Sequence, residues 1–275
     1  MPPATFGVSP QDIFGPKKHP PMTWPAGYER VVLEDVDSTM AEATRRAGAL
    51  TGPAWILAQR QTAARGRRGR PWRHPLGNFS ATAVIWPAGS VAEAALRSFV
   101  MSLALFDALD RVAGAGPALA LKWPNDVLCT GRKVAGILLE TLPQGGLSIG
   151  VGVNLLAVPA VADIEPGAVE PVSVLEATGT RVTPEVLLEA LAEAFDHWET
   201  VLVRDGFGPV RSAWLARAAR RGLPVVARLP RQVYRGIFET VDDTGAIVLN
   251  TADGRVAIAA ADIYFDEAAD DVAGN

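Results

Sequence analysis

One cysteine, three histidines and four lysines are all that the 275 residues hold of those types. A single thiol, Cys129, excludes an internal disulfide framework and a multi-thiolate metal site. The histidines, His19, His74 and His197, compose no Ser/His/Asp set. No Gly-x-x-x-x-Gly-Lys-Ser/Thr run occurs, which excludes a P-loop. No charged-then-apolar leader opens the chain. Its longest Ala/Leu-rich stretch, Val91 to Val112, is broken by Glu93, Arg97, Asp107 and Asp110, and so predicts an amphipathic helix rather than a membrane span. With 49% hydrophobic and 20% charged residues, a sizeable core is expected and wholesale disorder is not. A cytoplasmic protein is the default expectation.

Acidic residues are missing altogether between Glu42 and Glu93, where Arg45, Arg46, Arg60, Arg65, Arg67, Arg68, Arg70 and Arg73 fall. That island carries +8 in a chain of net charge −4, leaving −12 for the other 225 residues. The mild average argues against a protein that coats nucleic acid generally. Lysine is the rare base. Lys17 and Lys18 sit in a proline-rich N-terminal stretch, so the body retains only Lys122 and Lys133, 11 residues apart in a chain that otherwise writes arginine.

Residues 1–22 read as a flexible tail, with Met22 a candidate native start, and 267–275 as a fraying acidic tail. Between them, strands are predicted at Tyr28–Leu33, Trp55–Gln59, Phe79–Trp86, Leu119–Trp123, Val134–Glu140 and Leu147–Asn154. Helices are predicted at Met40–Ala47, capped by Ser38 or Thr39, at Val91–Val112, at Pro184–Leu202, capped by Thr183, and at Phe207–Arg221. Short β-like runs follow from Pro224 to Phe265, spaced as in a small antiparallel barrel. This is a mixed α/β domain at 23–221 with a small β domain at 222–266.

Three stretches can carry chemistry. The loop Arg65-Gly66-Arg67-Arg68-Gly69-Arg70-Pro71-Trp72 offers forked donors for phosphate or carboxylate beside a flat indole. It suits a nucleic acid, a small phosphorylated ligand or a merely solvated surface. The run Lys122-Trp123-Pro124-Asn125-Asp126 is expected to end a strand and present Asn125 and Asp126 in a loop, with Lys122 free to be a surface lysine. Lys133 then stands at the mouth of the next strand, where a point charge suits developing negative charge. Along Leu147–Asn154, Ser148, Gly150, Gly152 and Asn154 share one nearly bare face, which either a ligand or a crossing helix would approach.

Taken in order, Asp37-Ser38-Thr39, Gln61, the Arg/Gly loop to Trp72, Lys122-Trp123-Pro124-Asn125-Asp126, Gly131-Arg132-Lys133-x-Ala135-Gly136 and Gly150-x-Gly152-x-Asn154 resemble the biotin–protein ligases, from about Val31 to Phe265. The resemblance implies an α+β fold, a mixed sheet with flanking helices of the class II synthetase type, plus a small SH3-like C-terminal barrel. It implies ATP-dependent activation of biotin to biotinyl-5′-adenylate, with Mg2+, and transfer to a lysine of a biotin carboxyl carrier protein. Ser38, Thr39, Gln61, Arg65, Arg67, Lys133, Gly136 and Gly150 match the biotin side, with Lys133 and Arg67 as catalytic groups. Arg65, Arg68, Arg70, Trp72, Lys122, Asn125, Asp126 and Asn154 match the nucleotide side, with Asp126 as a Mg2+ contributor. Met40 follows Thr39 where the family usually has Asn, and Ala64 replaces a loop glycine. Only 37 residues precede Ser38, so no N-terminal DNA-binding domain and no DNA partner are expected; monomer and a homodimer paired through a sheet edge both stay open. A lipoate ligase or octanoyltransferase, the latter requiring Cys129 as nucleophile, is the alternative within the fold. A nucleic-acid-binding module using the arginine loop is the alternative from another class.

Overall fold

The computed structural model describes residues 22–72, 75–159 and 168–265. Lys17, Lys18, His19, Arg73, His74 and the expected acidic tail lie outside them. Met22, assigned to the tail, is half-buried and packs against the core.

A seven-stranded mixed sheet forms from β1 (Glu29–Val36), β2 (Ala54–Gln61), β3 (Phe79–Ile85), β4 (Leu119–Lys122), β5 (Asp126–Cys129), β6 (Arg132–Thr141) and β7 (Leu147–Val153). Its order is β1-β2-β3-β7-β6-β5-β4, antiparallel except for the β1–β2 pair. Strict alternation on the central strands makes two apolar faces. Trp55, Leu57, Phe79, Ala81 and Ala83 face a large core shared with α3 (Arg97–Ala113) and α5 (Pro184–Asp205). Ala54, Ile56 and Val84 face a smaller cluster shared with α1 (Thr39–Arg46), through Ala43. Covering only part of its face, α1 leaves room on that side of the sheet.

The expected helix at Val91–Val112 is two: α2 (Val91–Ala95) and α3, parted at Leu96. The Leu96 N–H bonds to Glu93 O, a tightened turn, and Arg97 Nη1 also donates to that carbonyl while its other nitrogens reach Glu199 Oε1. Residues 126–129, expected as loop and turn, form β5. Thr130 and Gly131 both have positive φ (53° and 77°), the two-residue turn geometry that lets β5 and β6 pair as a hairpin. A short α4 (Val174–Thr178), capped by Ser173, has no counterpart in the sequence reading, and α6 (Phe207–Ala216) stops five residues early.

The C-terminal strands are β8 (Pro224–Arg228), β9 (Val233–Val241), β10 (Ile247–Thr251), β11 (Gly254–Ile258) and β12 (Asp262–Phe265). They form a five-stranded antiparallel sheet in the order β11-β10-β9-β8-β12. Among the contacts that hold it to the main sheet's periphery, Trp123 Nε1 donates to Gly245 O at 3.0 Å and Arg67 Nη1 donates to Ala261 O at 3.2 Å.

Candidate functional site

Beside α1, on the face it leaves open, lies a cavity of about 630 Å³ roofed by the arginine loop and bounded by β12. Of the residues singled out from the sequence, Ser38, Thr39, Gln61, Arg65, Arg67, Arg70, Trp72, Lys122, Asn125, Asp126, Lys133, Gly136, Gly150 and Asn154 all line it. Arg68 does not. Its backbone is left-handed (φ 57°), and its guanidinium is exposed while donating to Asp262.

One end is a polar pocket at the start of α1. Ser38 caps that helix by accepting from Met40 N at 3.2 Å. Thr39 donates from both its backbone N (2.7 Å) and its Oγ1 (3.1 Å) to Gln61 Oε1, and its hydroxyl accepts from Thr82 Oγ1 at 2.8 Å. Ser38, Thr39 and Thr82 are buried and Gln61 is half-buried, so these hydrogen bonds set the groups' positions before any ligand arrives.

At the other end three strands bring three charges together. Lys122 on β4 stands directly opposite Asp126 on β5, with Nζ 3.4 Å from Oδ2. Lys133 on β6 places its Nζ 2.6 Å from Oδ1. A bulge makes this possible. Val127 pairs with Ala135 and Leu128 with Lys133, so Val134 is an extra residue on β6. Without it, strict alternation would send Lys133 to the opposite face. Burial works to raise the Asp126 pKa, but Lys133 and Lys122 outweigh it and hold the carboxyl below its ordinary range. Burial also lowers the Lys122 pKa, against the attraction of Asp126.

In this arrangement the Asp126 carboxylate, expected to contribute to Mg2+, is taken up by the two lysines. Both carboxylate oxygens face ammonium groups, and no cluster of three His, Cys, Asp or Glu able to hold a metal occurs among the described residues. The donor set does not fit a resident metal. Asp126 instead organises the two lysines.

The roof is a small hairpin, with Gly66 N donating to Arg70 O (2.8 Å) and Trp72 N to Ala64 O (2.9 Å). Asp262 of β12 accepts from Arg67 (3.3 Å), Arg68 (2.6 Å) and Arg70 (3.3 Å), while Arg65 pairs with Glu140 at 2.8 Å. Burial lowers the Arg67 pKa, with Asp262 opposing. Beneath the roof, Trp72 lies on bare backbone: Gly136 and Gly152 are register partners, and a Cβ on Gly152 would meet the indole at 2.5 Å. The crossing-helix reading of the glycine face is realised at Gly150, which α1 meets through Met40, while the neighbour at Gly152 is the Trp72 indole. Asn154, 2% exposed, has its side-chain oxygen without a hydrogen-bond partner among the described residues, an acceptor for a ligand N–H or O–H.

Sequence reasoning did not single out Asp262, Tyr264, Ser80 or Met40 as site groups, although all four line the cavity. The only signal for Asp262 was its being the sole acid in the last β run. Cys129 is buried in β5, and burial raises its thiol pKa, so no activated nucleophile exists there.

Residues 32–154 match the biotin/lipoate A/B protein ligase family and residues 222–266 the biotin protein ligase C terminal domain. The chain is 50% identical over 238 residues to the biotin–[acetyl-CoA-carboxylase] ligase of Paracoccus denitrificans, covering 85% of this chain and 99% of that one. The fold resembles the biotin protein ligase from Aquifex aeolicus in complex with biotin and ATP (TM-score 0.74, 22% identity, 86% and 97% coverage). It also resembles the Leishmania major biotin protein ligase in complex with biotinyl-5-AMP (TM-score 0.62, 25% identity, 84% and 99% coverage).

Proposed function

This chain belongs to the biotin protein ligase family, and we propose that the cavity under its arginine loop is where biotin and ATP react. The enzyme is an ATP-dependent biotin–protein ligase: it forms biotinyl-5′-adenylate and passes the acyl group to a lysine of a biotin carboxyl carrier protein. The observation that carries the site assignment is the pairing, in one cavity, of a prebuilt hydroxyl–amide pocket with a cluster of two lysines and Arg67.

In the first step a biotin carboxylate oxygen attacks the α-phosphorus of ATP. The O–P bond forms, the bond to the bridging oxygen breaks, and pyrophosphate leaves with the electron pair. Two anions must meet, so fixed positive charge lowers the barrier. Lys133 and Arg67 supply it. Ser38, Thr39 and Gln61 take the ureido end, with Gly150 beside the ring through Met40 and with Arg65 and Gly136 along the acyl chain. Lys122, Asn125, Asp126, Arg68, Arg70, Trp72 and Asn154 serve the nucleotide side, Lys122 and Asp126 by fixing the charge cluster and Arg68 through Asp262 rather than by contact. The described residues offer no cage of their own for Mg2+, which would arrive with ATP and supply charge neutralisation at the phosphates. In the second step the neutral amine of the carrier lysine attacks the acyl carbon. The C–N bond forms, AMP leaves, and the amine proton goes to solvent. No protein nucleophile is needed.

The carrier is that of acetyl-CoA carboxylase, the substrate named for the Paracoccus relative. We assign catalysis to residues 23–221, a small appended domain to 222–266 and tails to 1–22 and 267–275. Against DNA as a partner stands the neutralisation of the arginine island by its own Asp262 and Glu140. A second copy would pair at β1, the end strand, where Val32 is exposed. Among the described residues no helix is long and apolar enough to cross a membrane; the cytoplasm, where ATP and carrier meet, is the proposed compartment. Pyrophosphate exchange with ATP and either biotin or lipoate tests the whole: biotin should support it and lipoate should not, and the reverse would move the enzyme to the lipoate branch.

A further inference from the structure

Met40 is the one flexible apolar side chain that α1 sends into the cavity, and it lies on a strand with no side chain to meet it. It is almost fully buried, immediately follows the Thr39 that bonds Gln61, and lines the same cavity. A Cβ at residue 150 would sit 2.8 Å from Met40 Sδ and 3.0 Å from its Cγ. Gly150 is thus the seat of the Met40 thioether, and a side chain there would displace the thioether. The cavity is the open space next to it.

From this geometry we propose that Met40, seated on Gly150, is the specificity-determining wall of the acid-substrate pocket, closing it around a compact sulfur-containing ring. The inference rests on the reading of the cavity as a biotin site. A ring lodged against Thr39 and Gln61 has the methionine as its apolar neighbour. Sulfur against sulfur gives soft, polarizable contact, and the unbranched side chain fills whatever the ring leaves. Shortening it opens the pocket and removes contact at once. A compact ring loses more than an open-chain analogue that can fold into the vacated space. An added methyl at residue 150 acts oppositely, by driving the thioether into the ring's place.

The test is steady-state pyrophosphate exchange with biotin and with desthiobiotin, which lacks the sulfur and the second ring. In Met40→Ala, the KM for biotin rises about tenfold and the preference for biotin over desthiobiotin falls by at least about fivefold, while the KM for ATP stays within about twofold. In Gly150→Ala, which drives the thioether into the ring's place, the biotin KM rises about a hundredfold, and adding Met40→Ala to it brings the value back to the roughly tenfold rise of Met40→Ala alone. An unchanged biotin preference in Met40→Ala, or a double variant no better than Gly150→Ala in a protein that melts like its parents, overturns the inference. Failure of the wild type to use biotin at all would instead overturn the site reading beneath it.

Discussion

Lys133 Nζ lies 2.6 Å from Asp126 Oδ1, across a hairpin whose bulge turns the lysine onto the carboxylate's face. The ion pair holds a half-exposed ammonium at the point where two anions must meet. Lys133→Ala should therefore cut biotin-dependent pyrophosphate exchange about 10²–10³-fold, with little change in melting temperature. An exchange rate within threefold of wild type would remove Lys133 from the chemistry.

Asp126 carries a different expectation, because it also neutralises the buried Lys122. Asp126→Asn leaves that ammonium uncompensated and should cost about 3–5 kcal/mol of stability. The pH dependence has a definite sign. The folded-state pKa of Asp126 is depressed, so its contribution is present above the unfolded value of about 3.9 and is lost as pH falls through the folded value. Denaturant titrations should show wild type and Asp126→Asn differing most at neutral pH and converging below about pH 4. A gap that stays constant to pH 2 would contradict the ion-pair account.

Asp262 latches the arginine loop to β12 through Arg67, Arg68 and Arg70. Arg67→Ala and Asp262→Asn should each speed release of biotinyl-adenylate, by about tenfold, corresponding to one charge-assisted hydrogen bond. Stopped-flow release kinetics read this directly. Unaltered release in both variants would mean the loop does not close the site.

Trp72 rests where Gly152 has no side chain. Gly152→Ala should cost about 1–3 kcal/mol through overpacking, measured by chemical denaturation. Trp72→Ala in that background should recover most of the loss. A Gly152→Ala protein as stable as wild type would show that the indole is free to leave.

Cys129→Ser should keep its full specific activity, since the thiol is buried in β5 and points to no reacting group, while losing about 1–3 kcal/mol for a hydroxyl placed in apolar surroundings. Loss of acyl transfer in folded protein would revive the octanoyltransferase reading.

Much of this was legible in sequence. Ser38 and Thr183 cap the helices they were expected to cap, and the Leu147–Val153 alternation puts Ile149 and Val151 in the core with Gly150 and Gly152 on the cavity side. The pairing of Asp126 with Gly136 across a two-residue hairpin was not legible, because Pro124 and the Thr130-Gly131 turn masked a strand of only four residues.

The sequence by itself determined the inventory: an arginine loop without acids around it, two body lysines, and a glycine-lined strand face, all products of local composition and period. Tertiary structure decided which charges meet. The Val134 bulge reverses the face of Lys133, and Asp262 arrives from a strand nearly 200 residues after the arginines it holds. Neither follows from local pattern, since register shifts and long-range ion pairs depend on how separate strands dock.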